Sequence, residues 1–259
     1  MLAIFRRDLS AYFNSVTVWV LSAAYLFVAG LIFTLMTKNY VDNSMMGSMN
    51  GRSPNIMDEL VLGYQWWLGF LMIFLLPMLT MRLLAEEKRI GTLELLFTYP
   101  VNEWEIVLAK FFASLLTVVA MLALSCLPLA YLYLSDKTAL DWRLISSGYG
   151  GLILMASTLV AIGLWASSLS ASQVIAACVT YGLAMMLWLM QLLDGFLPEK
   201  LTQGFGEDSK GIGTLGIMTH LESFARGNLS SHDIVYYLSL TLLFLFLTVR
   251  VLDSRKWRM

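Results

Sequence analysis

Six long apolar stretches, Val16 to Met36, Leu62 to Met81, Phe111 to Leu134, Leu144 to Ala166, Val174 to Leu193 and Ile234 to Val249, dictate what this chain folds into. Most reach the ~20 residues that a helix needs to cross a hydrocarbon core. The last is shorter, but Leu252 follows it and Arg250 has a stem long enough to carry its charge to the interface. With 58% hydrophobic and only 14% charged residues, the chain departs from the roughly 25% charged residues of a soluble domain. Lipid has no water to satisfy a bare backbone, so each stretch is expected as a helix. The expected fold is all-α and integral to the membrane: one transmembrane domain over residues 1–259, with six spans.

The basic residues orient it. With the N-terminus inside, ten of the 17 lysines and arginines fall at inner ends: Arg6, Arg7, Arg82, Lys88, Arg89, Lys110, Arg250, Arg255, Lys256 and Arg258. Three of the other seven are spread over the 40-residue segment Asp194 to Asp233. Basic density is therefore higher on the proposed inside, which puts both termini in the cytoplasm. The pairs Trp66 and Trp67, Tyr131 and Tyr133, and Tyr236 and Tyr237 read as an outer aromatic belt, and Trp104 and Trp257 as an inner one.

Several features resemble chemistry and are read as structure. The run FRRDLSAYF at Phe5 to Phe13 carries twin arginines, but the apolar run begins only at Val16 and no small-residue cleavage site clearly ends it. Leu2, Phe5, Leu9, Tyr12 and Phe13 recur at helical spacing opposite Arg6, Arg7 and Ser10, the pattern of a helix lying in the interface. The run LSASQ at Leu169 to Gln173 has the look of an ATPase signature, yet it fills a tight turn between spans, and the sequence has no G-x-x-x-x-G-K-[ST] phosphate loop. No ATP hydrolysis is expected of the chain by itself.

No metal is expected either. Met45, Met46, Met49 and Met57 have soft thioethers but no His or Cys beside them. Cys126 and Cys178 lie deep in the third and fifth stretches and read as packing residues. His220 and His232 read as lone histidines without a partner motif. The central parts of the six stretches contain no Asp, Glu, Lys, Arg or His, the groups that mark proton relays and ion pathways. Energy for any transport is therefore expected from outside the membrane.

The segment EEKRIGTLELLFTYP, Glu86 to Pro100, joins the second and third stretches on the inner side. Ile90, Leu93, Leu96 and Phe97 make an apolar stripe beside Glu94. Such a helix docks in a groove on a cytosolic partner or rests on the membrane surface, and periodicity alone does not choose.

The run E-E-K-R-I-G-T-L-E-L-L-x-x-x-P-V-x-x-x-E-I-V-L-A-K, Glu86 to Lys110, resembles the coupling-helix region of ABC-2 type permeases, the membrane subunits of type V ABC exporters. RRDLSAYFNS resembles that family's N-terminal connecting helix, SSLSASQVIAA its inner turn into the fifth span, and HLESFARGNLSSHDIVYYLSL the outer segment before its sixth. The closing LDSRKWR fits as well, and the last long block is most similar to the gliding-motility GldF-like subfamily.

The resemblance implies a permease subunit of the bacterial inner membrane that couples ATP hydrolysis in a separate cytosolic subunit to export. Its implied contact with that ATPase is the coupling helix around Glu86, Glu87, Gly91, Thr92, Leu93, Glu94 and Leu96. The implied partners are cytosolic ABC ATPase subunits, a second permease subunit of the same or a different sequence, a periplasmic or auxiliary membrane subunit, and membrane lipid, with no nucleic acid. No cofactor is implied in this chain; ATP and Mg belong to the ATPase. Ile212 to Arg226 is implied to dip into the outer leaflet as a re-entrant segment. The alternative is a mechanotransmission or scaffold subunit that drives a periplasmic partner without moving a substrate.

Overall fold

A computed structural model describes residues 2–49, 55–91, 102–135, 141–193 and 212–256, and these residues form helices with no strand among them. The helices are α1 (Leu2–Asn14), α2 (Val16–Met49), α3 (Gly63–Thr80, entered through a π-helical turn at Met57–Leu62) and α4 (Ala85–Ile90). They continue with α5 (Glu103–Ser125), α6 (Leu127–Ser135), α7 (Trp142–Leu169), α8 (Gln173–Leu193), α9 (Ile217–Ala225, after a 3-10 turn at Ile212–Leu215) and α10 (Ser231–Lys256).

Among the described residues six segments are long and apolar enough to cross a membrane: Val16–Met46, Met57–Ile90, Glu103–Leu134, Trp142–Leu169, Gln173–Leu192 and Ser231–Ser254. The chain is a multi-pass membrane protein. The second segment extends well past the expected Met81, because the helix only loosens over residues 81–84 and then resumes as α4. The third starts earlier than expected and takes in Lys110. It breaks at Cys126, where Pro128 has no N–H to give to the preceding turn.

The centre of the bundle is α7. In its most apolar window 78% of residues are buried, against 11% for α2 and 17% for α8. Its sequence explains this, since without water between helices small residues let backbones approach closely. Three of its glycines receive side chains from neighbouring helices. A Cβ at Gly148 would lie 2.0 Å from Gln65 Oε1, one at Gly163 2.0 Å from Thr80 Oγ1, and one at Gly151 2.7 Å from Phe224 Cβ. The first two contacts seat α3 against α7, and the third seats α9.

Hydroxyls add polar links. Thr158 Oγ1 donates to the Tyr237 carbonyl at 3.1 Å and lies 3.2 Å from Thr241 Oγ1, joining α7 to α10. Tyr64 donates to the Ser125 carbonyl at 2.9 Å. Tyr237, expected in the interfacial belt, is instead fully buried and donates to the Ile217 carbonyl at 2.6 Å. Its phenol tethers α9 to α10.

The cysteines differ from each other. Both are free thiols; Cys126 is half-buried, but Cys178 is exposed on α8, so it does not pack inside this chain as its position suggested. The run Leu169 to Gln173 forms the expected tight turn, with the Ser172 N–H donating to Ser170 Oγ at 3.0 Å.

Candidate functional site

Helix α1, the end of the second span and the start of the third converge on the side of the bundle that holds the N-terminal helix. Gly91 closes α4 in the left-handed region, at φ 79°, with its N–H on the Lys88 carbonyl at 3.3 Å. An αL C-cap favours glycine, because a Cβ there crowds the backbone.

Above this helix the Ser167 side chain holds the break at residues 81–84. Ser167 Oγ, from the buried end of α7, accepts from the Leu84 N–H at 2.9 Å and the Ala85 N–H at 2.8 Å, and donates to the Met81 carbonyl at 3.2 Å. One hydroxyl thus uses its donor and two acceptor sites on a helix interruption that would otherwise bury bare polar groups. Lys88 adds a second tie, its ammonium hydrogen-bonding the Ser168 carbonyl.

Four of the charged groups form a cluster. Lys110, in the second turn of α5, is 3% exposed, and its Nζ lies 2.8 Å from Glu87 Oε1 and 3.3 Å from Asp8 Oδ2. Arg7 reaches the same two carboxylates, at 3.1 Å from Glu87 Oε1 and 2.8 Å from Asp8 Oδ1. Two cations meet two anions, which is the condition for charges to survive outside water. Partial burial works against the Arg7 guanidinium, but the Asp8 hydrogen bond and charge, with Glu87 behind them, outweigh it and raise its pKa above the ordinary value. A cavity of about 320 Å³ opens beside the cluster, lined among others by Tyr12, Thr17, Arg82, Glu86, Glu87 and Lys110. Arg82 donates to Thr17 Oγ1 across it at 2.9 Å.

Of the residues the sequence marked for partner contact, Glu86, Glu87 and Gly91 are described, while Thr92, Leu93, Glu94 and Leu96, with Phe97 of the apolar stripe, lie outside the described residues. Glu87 turns inward to Lys110 and Arg7; Arg89 and Ile90 are exposed, Ile90 at 63%. Sequence reading missed Asp8, Lys110 and Ser167. Asp8 adjoins the polar stripe of α1, Lys110 was assigned to an inner end, and nothing distinguishes Ser167 from the serines around it. The α1 pattern also needed adjustment: Asp8 is buried at 8% exposure, whereas Phe13 stands half exposed against Trp19.

A family model described as ABC-2 family transporter protein matches residues 2–256. The chain belongs to the ABC-2 transporter family. No curated protein matches it closely enough to name a relative. ABC-2 permeases are membrane subunits of ABC transporters, generally not catalytic themselves, and the family works with an ABC ATPase subunit.

On the opposite side of this permease, His220 and His232 are not the lone residues expected. His220 is 4% exposed; its Nδ1 faces Asp233 Oδ1 at 2.5 Å and its Nε2 the Thr214 carbonyl at 2.6 Å. His232 stands next to Asp233 at the start of α10. Partner and histidine are 13 residues apart in sequence, and folding α9 back onto α10 brings them together.

Proposed function

We propose that this ABC-2 permease couples ATP hydrolysis by a separate cytosolic ATPase to export across the bacterial inner membrane. The observation that supports the reading best is the ion cluster of Lys110, Glu87, Asp8 and Arg7. It ties the last turn before residues 92–101 to α1 and α5, while Ser167 and Lys88 tie the same turn to α7. Removing the buried Lys110 from this group costs about 3 kcal/mol, the low end for a broken buried pair because Glu87 and Arg7 are partly solvated. A push on residues 92–101 is therefore passed to α1, α5 and the central α7 together.

In this reading both termini are cytoplasmic, α1 lies in the inner interface, and the coupling helix formed around Thr92, Leu93, Glu94 and Leu96 seats in the ATPase. Closure of the ATPase dimer on ATP moves that helix and shifts the spans between two packings, driven by differential ATP binding. A second permease subunit covers the spans that this chain leaves most open, α2 and α8, whose outward faces carry Trp19, Phe27, Leu31, Val174, Met186 and Leu189. Helix α9 is the outer re-entrant element, covered by protein as non-spanning backbone at that depth has to be.

The GldF-like resemblance supports a second reading, in which the same movement is delivered to a periplasmic partner and no substrate passes. A polar cavity at the interface of the two permeases favours export; a closed, Leu- and Phe-packed interface favours force transmission. Co-purification in mild detergent, with mass spectrometry of every associated chain, tests the shared core of both readings. An ATPase subunit with a phosphate loop is expected, and ATP hydrolysis is expected only when it is present. ATP hydrolysis by preparations containing the permease alone contradicts it.

A further inference from the structure

We propose that His220, His232 and Asp233 form a binding site for a divalent transition metal, Zn2+ in chemical class, that fastens α9 to the head of α10. Their ligand atoms lie within 4.8 Å of one another. The case begins with the His220 ring. A carbonyl only accepts, so the 2.6 Å contact to the Thr214 oxygen puts a proton on Nε2. In a neutral ring Nδ1 then presents a lone pair, and it does so 2.5 Å from a carboxylate oxygen. Something electropositive has to lie between them, and a proton or a metal ion satisfies that condition.

The surroundings are those of a metal ligand. A backbone carbonyl on the far ring nitrogen fixes the tautomer and the ring orientation, the usual support of a ligating histidine. The ring is also pinned by stacking on Tyr236, with centroids 4.0 Å apart, and Tyr236 in turn donates to the Leu215 carbonyl at 2.5 Å. Asp233 adds an independent observation: its side chain is 8% exposed, yet Oδ2 has no hydrogen-bond partner. A buried carboxylate oxygen left in this way is costly unless a cation takes it up.

His232 completes the set. Its side chain is 75% exposed and its Nδ1 is 3.8 Å from Asp233 Oδ1. Zinc ligands at about 2.0–2.1 Å in tetrahedral array stand about 3.3 Å apart, so the His220–Asp233 pair has to open by under about 1 Å, the His232–Asp233 pair to close by about half an ångström, and the two histidines, whose ligand atoms lie within 4.8 Å, to close by at most about 1.5 Å. Exposure leaves His232 free to make that rotation and gives the ion a route in from water. Three protein ligands leave a fourth position for solvent, so the ion exchanges. On binding, the ion replaces the proton shared by Nδ1 and Oδ1, and that proton leaves to water.

The consequence is mechanical. Helix α9 bears on α7 through Gly151 and Phe224, so clamping it to α10 fixes the end of the bundle opposite the ion cluster. The site does not depend on the coupling proposal.

The test uses the full chain purified in detergent and treated with chelator. Dialysis against Zn2+ with metal analysis is expected to give one ion per chain, and Co2+ the intense visible absorption of a four-coordinate site. His232→Ala removes an exposed ligand without disturbing the buried pair, so it is expected to fold like wild type and to weaken Zn2+ binding at least ~10-fold. Hydrogen exchange over residues 217–225 is expected to slow with Zn2+ in the wild type and not in the variant. Absence of stoichiometric Zn2+, or equal binding by His232→Ala, overturns the proposal; the first leaves a proton between His220 and Asp233, and the second puts the metal elsewhere.

Discussion

Lys110 Nζ sits 2.8 Å from Glu87 Oε1, joining two residues from different spans at a point where the lysine is almost wholly removed from solvent. The pair links the end of the second span directly to the start of the third. Glu87 is the more exposed partner, at 20%, so the lysine has more to lose when the pair breaks.

Lys110→Met is therefore expected to destabilise the protein by about 3 kcal/mol, the low end for a broken buried pair because Glu87 is partly solvated. Thermal unfolding in detergent measures it. Adding Glu87→Gln to Lys110→Met is expected to recover part of the loss, as an uncompensated charge is removed. A single variant as stable as wild type would mean that water reaches the cluster.

Ser167→Ala deletes the acceptor for the Leu84 and Ala85 N–H groups. Leaving buried donors unpaired costs about 1–3 kcal/mol. Amide exchange at residues 84 and 85 is expected to rise sharply while α5 exchange stays close to wild type. Unchanged exchange at both residues counts against a hydroxyl cap.

At Gly163 the issue is space. Gly163→Ala is expected to cost about 1–3 kcal/mol through overpacking against Thr80. Thr80→Ala in the same chain removes the nearest atom but leaves Cβ 2.5 Å from the added methyl, so the rescue is expected to be partial. Full tolerance of Gly163→Ala would show that α3 and α7 are less closely packed than described.

For topology, cysteines introduced at Ser48 and Gly206 are expected to react with an impermeant reagent in intact cells, and one at Thr92 only after permeabilisation. Labelling of Thr92→Cys in intact cells reverses the orientation.

The six spans were legible because lipid admits few solutions: apolar runs of the right length become helices, although the second and third run on past the charges expected to bound them. Their mutual arrangement was not. That α7 is central depends on Gly148, Gly151 and Gly163 meeting Gln65, Phe224 and Thr80, contacts between residues far apart in sequence that leave no periodic trace. The segment Glu86 to Gly91 stood out as charge within apolar sequence, but the same charge pattern fits an outward partner contact or an inward ion pair. The burial of Asp8 and Lys110 makes Glu87 part of an ion pair. His220 looked isolated for a similar reason, since Asp233 reaches it only after α9 folds back onto α10.

The coupling claim is tested most directly by replacing Leu93 and Leu96 together with Asp and measuring how much ATPase subunit co-purifies with the permease. Each lost apolar anchor costs about 1.5–3 kcal/mol before the desolvation of the new carboxylate, so retention is expected to fall strongly while membrane insertion is unchanged. Glu94→Ala, at the solvated edge of a groove, is expected to cost only ~0–1 kcal/mol and to retain most of the ATPase. Wild-type retention by the double Asp variant, with ATP hydrolysis still responding to the permease, would contradict the account and make this segment a helix of the membrane surface.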